Sequence, residues 1–233
     1  LLYKYLGSLE RSRFGSNSRF SYSSTVKEYV EPKLITEPVK LATVIKQPKV
    51  EVVTKGNLQY TYYYHSNFQR LERIDYLDKS SKKKCFPQHY NKDTYSWCYG
   101  ICDSFKPFYS QQFNGSVHIV PEGAKNAYKV IQQGYSAFSF QQYNYVEITK
   151  GLELIKPSAI ILLLDNDLVS LAKQNKIRDI AWTLNISTLT IDIIDIYDIL
   201  NIKEKCLKGA DIYDLLMYKT DVDLENLVNE YIK

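Results

Sequence analysis

Six consecutive apolar residues, Ala159-Ile160-Ile161-Leu162-Leu163-Leu164, stand between Pro157-Ser158 and the acidic string Asp165-Asn166-Asp167. A run of this length fits a strand, and its lack of alternation between apolar and polar residues calls for burial on both faces. Strands of that kind belong to parallel sheets with helices packed on either side. The run therefore directs the chain toward an α/β fold with a mostly parallel sheet flanked by helices. The surrounding sequence alternates accordingly. A strand at 117–120 is followed by a helix at about 124–133, where Ala127, Val130 and Ile131 share an apolar face and Gly134 supplies the stop. A strand at 137–140, a helix around 147–155, the strand 159–164, a helix from 168 to about 184 and a strand around 188–194 complete the series.

Ligands of such sheets sit beyond the carboxyl ends of the strands. Glu122, in Val120-Pro121-Glu122-Gly123, and Asp165 and Asp167 fall at those ends. Carboxylates brought together there suit a hard divalent cation, because magnesium prefers oxygen ligands, retains several waters and is commonly held by one or two carboxylates plus a substrate phosphate. Lys125 falls in the first turn of the following helix, where free backbone amides also favour anions. Asp211 and Asp214 extend the acidic rim, and Asp211 reads equally well as a helix N-cap.

Ahead of the α/β segment the pattern differs. Residues 1–55 lack convincing periodicity, carry a Ser/Arg-rich stretch at 11–19 and are punctuated by Pro32, Pro38 and Pro48, so they read as an extended or disordered basic linker. Residues 56–110 read as a small antiparallel β subdomain: strand-like runs at 60–64, 70–77, 85–90 and 95–100 are separated by turn signals. The α/β domain occupies 111–220 and a helical tail 221–233. Charge follows the same division. Residues 1–50 carry nine Lys/Arg against four Asp/Glu, 51–110 carry nine against six, and 111–233 carry twelve against sixteen. A basic front suits phosphate contacts and an acidic back suits a cation. The front candidates for nucleic-acid contact are Arg70, Arg73, Lys82, Lys83 and Lys84, interleaved with tyrosines able to stack on bases.

Cys85, His89, Cys98 and Cys102 approach a zinc ligand set, but their spacing lacks the close pairs of a zinc ribbon, so reduced, partly buried cysteines are expected. The longest apolar runs fall far short of the roughly 20 residues needed to span a bilayer. The start shows no secretory signal, and a first residue other than Met suggests a fragment or a processed chain. The expectation is a soluble protein without membrane association, cytoplasmic or, if organelle-encoded, in the plastid stroma.

Val120-Pro121-Glu122-Gly123, Asp165-Asn166-Asp167 and Lys208-Gly209-Ala210-Asp211-Ile212-Tyr213-Asp214-Leu215-Leu216, in that order, resemble the TOPRIM domain of bacterial-type primases and of phage or plasmid primase-helicases. Glu122-Gly123-Ala124-Lys125-Asn126-Ala127 with Gly134-Tyr135-Ser136-Ala137 is closest to the TOPRIM-like domain of cyanobacterial, plasmid and phage replication proteins. The resemblance covers about residues 57–218, where the Tyr-rich antiparallel segment with Trp97 near Gly100 is also typical. It implies a TOPRIM-like (Rossmann-like) fold, with Glu122 as metal contact or general acid/base in phosphoryl transfer and Asp165 and Asp167 as ligands of magnesium or manganese. The implied activity is primase-like nucleotidyl transfer in plasmid or phage-type DNA replication. The implied partners are nucleic acid, single-stranded DNA foremost, together with nucleotides and a helicase or another replication protein. Because the sequence has no P-loop, such a helicase motor would be another chain or a lost segment. Two departures bear on activity: Asn126 stands where many members carry an acid, and Ser170 where they carry glycine. The alternative is a catalytically inactive nucleic-acid-binding module on the same scaffold; a nuclease of the same fold is a third option.

Overall fold

The computed structural model describes residues 33–101, 105–163, 165, 167–207 and 209–233. The strands and helices form a mixed α/β fold, in which a five-stranded antiparallel sheet precedes a three-stranded parallel sheet with helices. The first half consists of β1 (Thr43–Lys46), β2 (Val50–Lys55), β3 (Leu58–Ser66), β4 (Gln69–Tyr76), β5 (Lys84–Asn91), β6 (Ser96–Tyr99), β7 (Phe108–Tyr109) and β8 (Gln112–Asn114). The second half runs β9 (Val117–Pro121), α1 (Gly123–Gln132), β10 (Phe138–Ser139), α2 (Tyr145–Ile155), β11 (Ala159–Leu163), α3 (Leu168–Thr183), β12 (Ser187–Thr190), α4 (Ile193–Ile199), α5 (Ile212–Tyr218) and α6 (Leu224–Ile232).

All five residues of β11 are buried, and the strand lies between β9 and β12, parallel to both. Its side chains divide by the period of two expected of a strand. Ile161 and Leu163 join a core with Ala127 of α1, Ile196 of α4, Leu215 of α5 and Leu227 of α6. Ile160 and Leu162 join a second core with Ile148 and Leu152 of α2 and Ile177 and Ala181 of α3. Burying each such aliphatic side chain contributes about 1.5–3 kcal/mol, so both helical layers are anchored through one strand. β12 is shorter than the sequence pattern suggests. It ends at Thr190 because Asp192 accepts a hydrogen bond from the Ile194 amide and starts α4 there.

Of the stretch expected to form a linker, residues 33–55 are extended but tied into the fold. Lys33 and Ile35 exchange backbone hydrogen bonds with Thr188, β1 pairs with β8, and β2 pairs with β3. Asn229 of α6 accepts from the Val39 amide at 2.7 Å and donates to its carbonyl at 3.0 Å, while Glu225 accepts from the Leu41 amide. The prolines exclude helix here, and the remaining backbone groups find partners on the sheet edges and on α6. The Ser/Arg-rich stretch 11–19 lies outside the described residues. Gly115 has φ +97°, and a Cβ there would stand 3.0 Å from the Ala42 Cα, so this crossing accommodates glycine alone.

The antiparallel sheet runs in the order β2-β3-β4-β5-β6. On β3, Thr61, Tyr63 and His65 are buried while Tyr60, Tyr62 and Tyr64 are half-buried on the other face. Tyr63 packs edge-on against Phe108 of β7 and Tyr128 of α1, with centroids 5.7 and 6.3 Å away, and these contacts join the antiparallel sheet to the α/β half. α6 packs one face into the core through Leu224, Leu227 and Val228. No helix among the described residues is long and apolar enough to cross a membrane.

Within α2, a Cβ on Gly151 would lie 2.7 Å from the ring of Phe140, itself buried. Gly151→Ala should lower stability by up to about 2 kcal/mol, because overpacking costs ~1–3 kcal/mol against a helix-propensity gain of about 1 kcal/mol. Urea unfolding monitored by circular dichroism measures the difference; a stabilised variant would show that Phe140 yields freely.

Candidate metal and phosphate site

Pairing of Val120 with Leu162 and of Pro121 with Leu163 ends β9 and β11 level with one another. Glu122 and Asp165 therefore leave the sheet at the same edge. Gly123, at φ +77°, turns the chain directly into α1, which accounts for the Glu-Gly pair. Glu122 occupies the N-cap of α1 without capping it. Its carboxylate instead accepts a 2.6 Å hydrogen bond from the Ser170 hydroxyl and forms an ion pair with Lys173. The Lys173 ammonium also lies 5.0 Å from the centroid of the Tyr143 ring.

Asp167 caps α3, accepting from the Ser170 amide at 2.7 Å. That hydrogen bond holds its carboxyl below the ordinary range for aspartate. Asp165 is in the opposite condition. Burial, followed by the charges of Glu122, Asp211 and Asp167, pushes its carboxyl up to about 7. Its Oδ1 accepts a long 3.4 Å hydrogen bond from the Asn126 amide. Two aspartates two residues apart are thus split, one firmly ionised and one poised near neutrality, a division that commonly separates acid and base roles.

Asp211 and Asp214 cap α5 reciprocally, each carboxylate accepting from the other's backbone amide, at 2.9 and 3.3 Å. Burial raises the Asp214 carboxyl above its ordinary value. Lys125 bridges toward this pair: its ammonium is 3.5 Å from Asp211 and 3.8 Å from the centroid of the Tyr213 ring. Glu122, Asp165, Asp211 and Lys125 line a cleft of about 160 Å³ whose other wall includes Tyr63, Arg73, Lys83 and Cys85 from the antiparallel sheet and the turn before β5.

The basic residues of the front half separate. Arg73 reaches the cleft but is gripped by Asp75 through two hydrogen bonds of 2.6 and 2.7 Å. Arg70 points to the other face of the sheet, where its guanidinium lies 4.1 Å from the Tyr62 ring and 4.2 Å from Trp97 and donates to Gln88 and Tyr64. Lys82, Lys83 and Lys84 are exposed, and only Lys83 of the three lines the cleft. Cys85, Cys98 and Cys206 are free thiols; Cys85 is exposed, against the expected partial burial. Cys98 pairs with His89, four residues along β5 from Cys85. That separation is about 13 Å of strand, too far for one zinc ion. Cys102 and Lys208 lie outside the described residues.

Lys173 is the residue at this candidate site that sequence reasoning missed. Its signal is the spacing of three in Asp167, Ser170 and Lys173, which puts all three on one face at the start of α3. Asn126 and Ser170, noted as departures, prove to be the residues that hold Asp165 and Glu122.

Among the described residues, no group of three or more His, Cys, Asp or Glu side chains is arranged to hold a metal ion. The donor chemistry nevertheless fits a hard cation: carboxylates crowd Asp165, and Asn126 Oδ1 is buried beside it without a hydrogen-bond donor. Glu122 fits only if Lys173 yields its place. Comparison with protein-family models, curated proteins and solved structures finds no match for this chain.

An aspartate whose carboxyl is raised in the folded state to about 7 from an ordinary 3.8 costs stability as pH rises between those values. Asp165→Asn should therefore be more stable than wild type at pH 8 by about 1–2 kcal/mol, after discounting for solvent screening, with the advantage gone near pH 4. Denaturant unfolding across this range tests the claim, and a pH-independent difference would contradict it.

Proposed function

We propose that the cleft carries out magnesium-dependent phosphoryl or nucleotidyl transfer on nucleic acid, as a TOPRIM-like centre of primase type acting in plasmid or phage-type DNA replication. One observation carries the reading: Glu122, Asp165 and Asp211 meet Lys83 and Lys125 in the same cleft at the carboxyl edge of the parallel sheet. A phosphodiester needs cationic contacts, and a divalent ion at its side needs carboxylates; this cleft offers both.

Asp165 and Asp167 would hold magnesium or manganese, with Glu122 joining them when Lys173 withdraws. When bound, the ion supplies charge neutralisation at a phosphoryl oxygen. The protein's own groups have separate parts. Asp165, crowded by neighbouring carboxylates, gains from a cation that would offset their repulsion and hold it ionised. Lys125 and Lys83 orient a phosphate through charge, while the first amides of α1 face the same edge. Lys173 and Ser170 fix the rotamer of Glu122. Nucleotides and a helicase or other replication protein are the partners this reading entails.

A second reading, a non-catalytic nucleic-acid-binding module on the same scaffold, draws on the Glu122 interactions. That carboxylate is already satisfied by Lys173 and Ser170 without a metal.

Incubation with magnesium or manganese, single-stranded template and nucleotides should yield primers. Asp165→Asn or Glu122→Gln should reduce them by roughly 10²-fold or more. Absence of product from the wild-type chain, with nucleic-acid binding that falls steeply with salt, would favour the second reading.

A further inference from the structure

The antiparallel sheet has two faces of different chemistry. Tyr63, Leu71, Arg73 and Cys85 share the face that walls the acidic cleft. The opposite face carries a series of aromatic rings: Phe68 lies 6.4 Å from Tyr90, Tyr90 5.4 Å from Trp97, and Trp97 5.7 Å from Tyr64. Arg70, stacked between Tyr62 and Trp97, occupies its centre, and Phe86 and Tyr99, 5.6 Å apart, extend the face. These rings do not close a core. Tyr99 is 66% exposed, Phe68 47% and Phe86 38%.

We infer that this outer face is a binding track for single-stranded nucleic acid, separate from the cleft, with bases stacking on the rings and phosphates meeting the lysines at its border. The inference rests on the nucleic-acid reading above and adds the surface that holds the strand. Three observations select this occupant. Phe68, Phe86 and Tyr99 are exposed beside the half-buried, largely edge-to-face Tyr90, Trp97 and Tyr64, and rings open to solvent offer stacking platforms that accept any base, the chemistry by which single strands are held without sequence preference. Cations stand against those rings, with the Lys49 ammonium 4.4 Å from the Tyr64 centroid and the Lys92 ammonium 4.6 Å from that of Phe68. Two acids of the face are already engaged, and Asp93 of the β5–β6 turn stands exposed beside Lys92. Glu51 accepts from Tyr64 and pairs with Lys49, and Glu72 is buried and accepts from Tyr99, so Arg70, Lys84 and Lys92 give the face a positive balance. A hollow of about 330 Å³ opens beside Phe68 at the edge of the sheet, lined by Tyr90 of this face and by His89 and Lys106. Duplex DNA, whose bases are already stacked on one another, cannot use the rings.

The test is fluorescence anisotropy of a labelled 20-nucleotide oligothymidylate with the full chain, in EDTA and without nucleotides, so that the cleft's chemistry plays no part. Wild type should bind it, more tightly than a duplex of the same length, with quenching of tryptophan emission. Phe86→Ala with Tyr99→Ala should weaken binding roughly 5- to 100-fold. Tyr145→Ala, which removes an exposed ring on α2 instead, should leave it unchanged. Tyr99→Ala alone, truncating the most exposed ring of the face, keeps the test valid if the double variant misfolds and should still weaken binding several-fold. Absence of oligothymidylate binding, equal affinity for the duplex, or unchanged affinity in the Tyr99 variants would overturn the inference. Failure of primer synthesis with this binding intact would count against the catalytic reading alone.

Discussion

Burial of β11 on both faces is the constraint on which the rest of the structure depends. Its alternate side chains are committed to two separate cores, Ile161 and Leu163 to one and Ile160 and Leu162 to the other. With both faces occupied, the strand satisfies its backbone only through neighbours in its own plane, and β9 and β12 take those positions in parallel. Parallel neighbours end at the same edge. Glu122 and Asp165 arrive there together, from residues 43 apart in the chain, because the strands that carry them are in register.

The cluster so produced carries an electrostatic cost that the surrounding residues partly offset. Asp165 is half-buried and repelled by Glu122, Asp211 and Asp167, while Lys173 is the charge that opposes the shift. The protein places one ammonium on Glu122 and another near Asp211, and among the described residues gives Asp165 a long amide hydrogen bond from Asn126. Such an arrangement holds one carboxyl poised while its neighbours remain engaged.

The antiparallel sheet serves both sides of itself. Because side chains alternate along β3, β4 and β5, Tyr63 and Arg73 are given to the joint with the α/β layer, and Tyr62, Tyr64 and Arg70 to the opposite face. Residues 33–55, which have little pattern of their own, gain order from this assembly, since their partners are the edges of sheets and the side chains of α6.

Some of this was legible in the chain alone. The apolar run 159–164, the Glu-Gly at 122–123 and the period-two tyrosines of β3 each carry a local signal, because strand burial, a left-handed turn and sheet alternation are properties of neighbouring residues. Asp211 as a helix cap was equally local, its partner being only three residues away. The engagement of Glu122 by Lys173 and of Asp165 by Asn126 was decided by tertiary structure. Glu122 and Lys173 are 51 positions apart, and only the fold, which starts α3 beside the edge where β9 ends, brings them together. The sequence by itself determined which residues lie at strand ends and which face each strand presents; folding decided which charges meet, because Coulomb interactions and hydrogen bonds act across space, without regard to position along the chain.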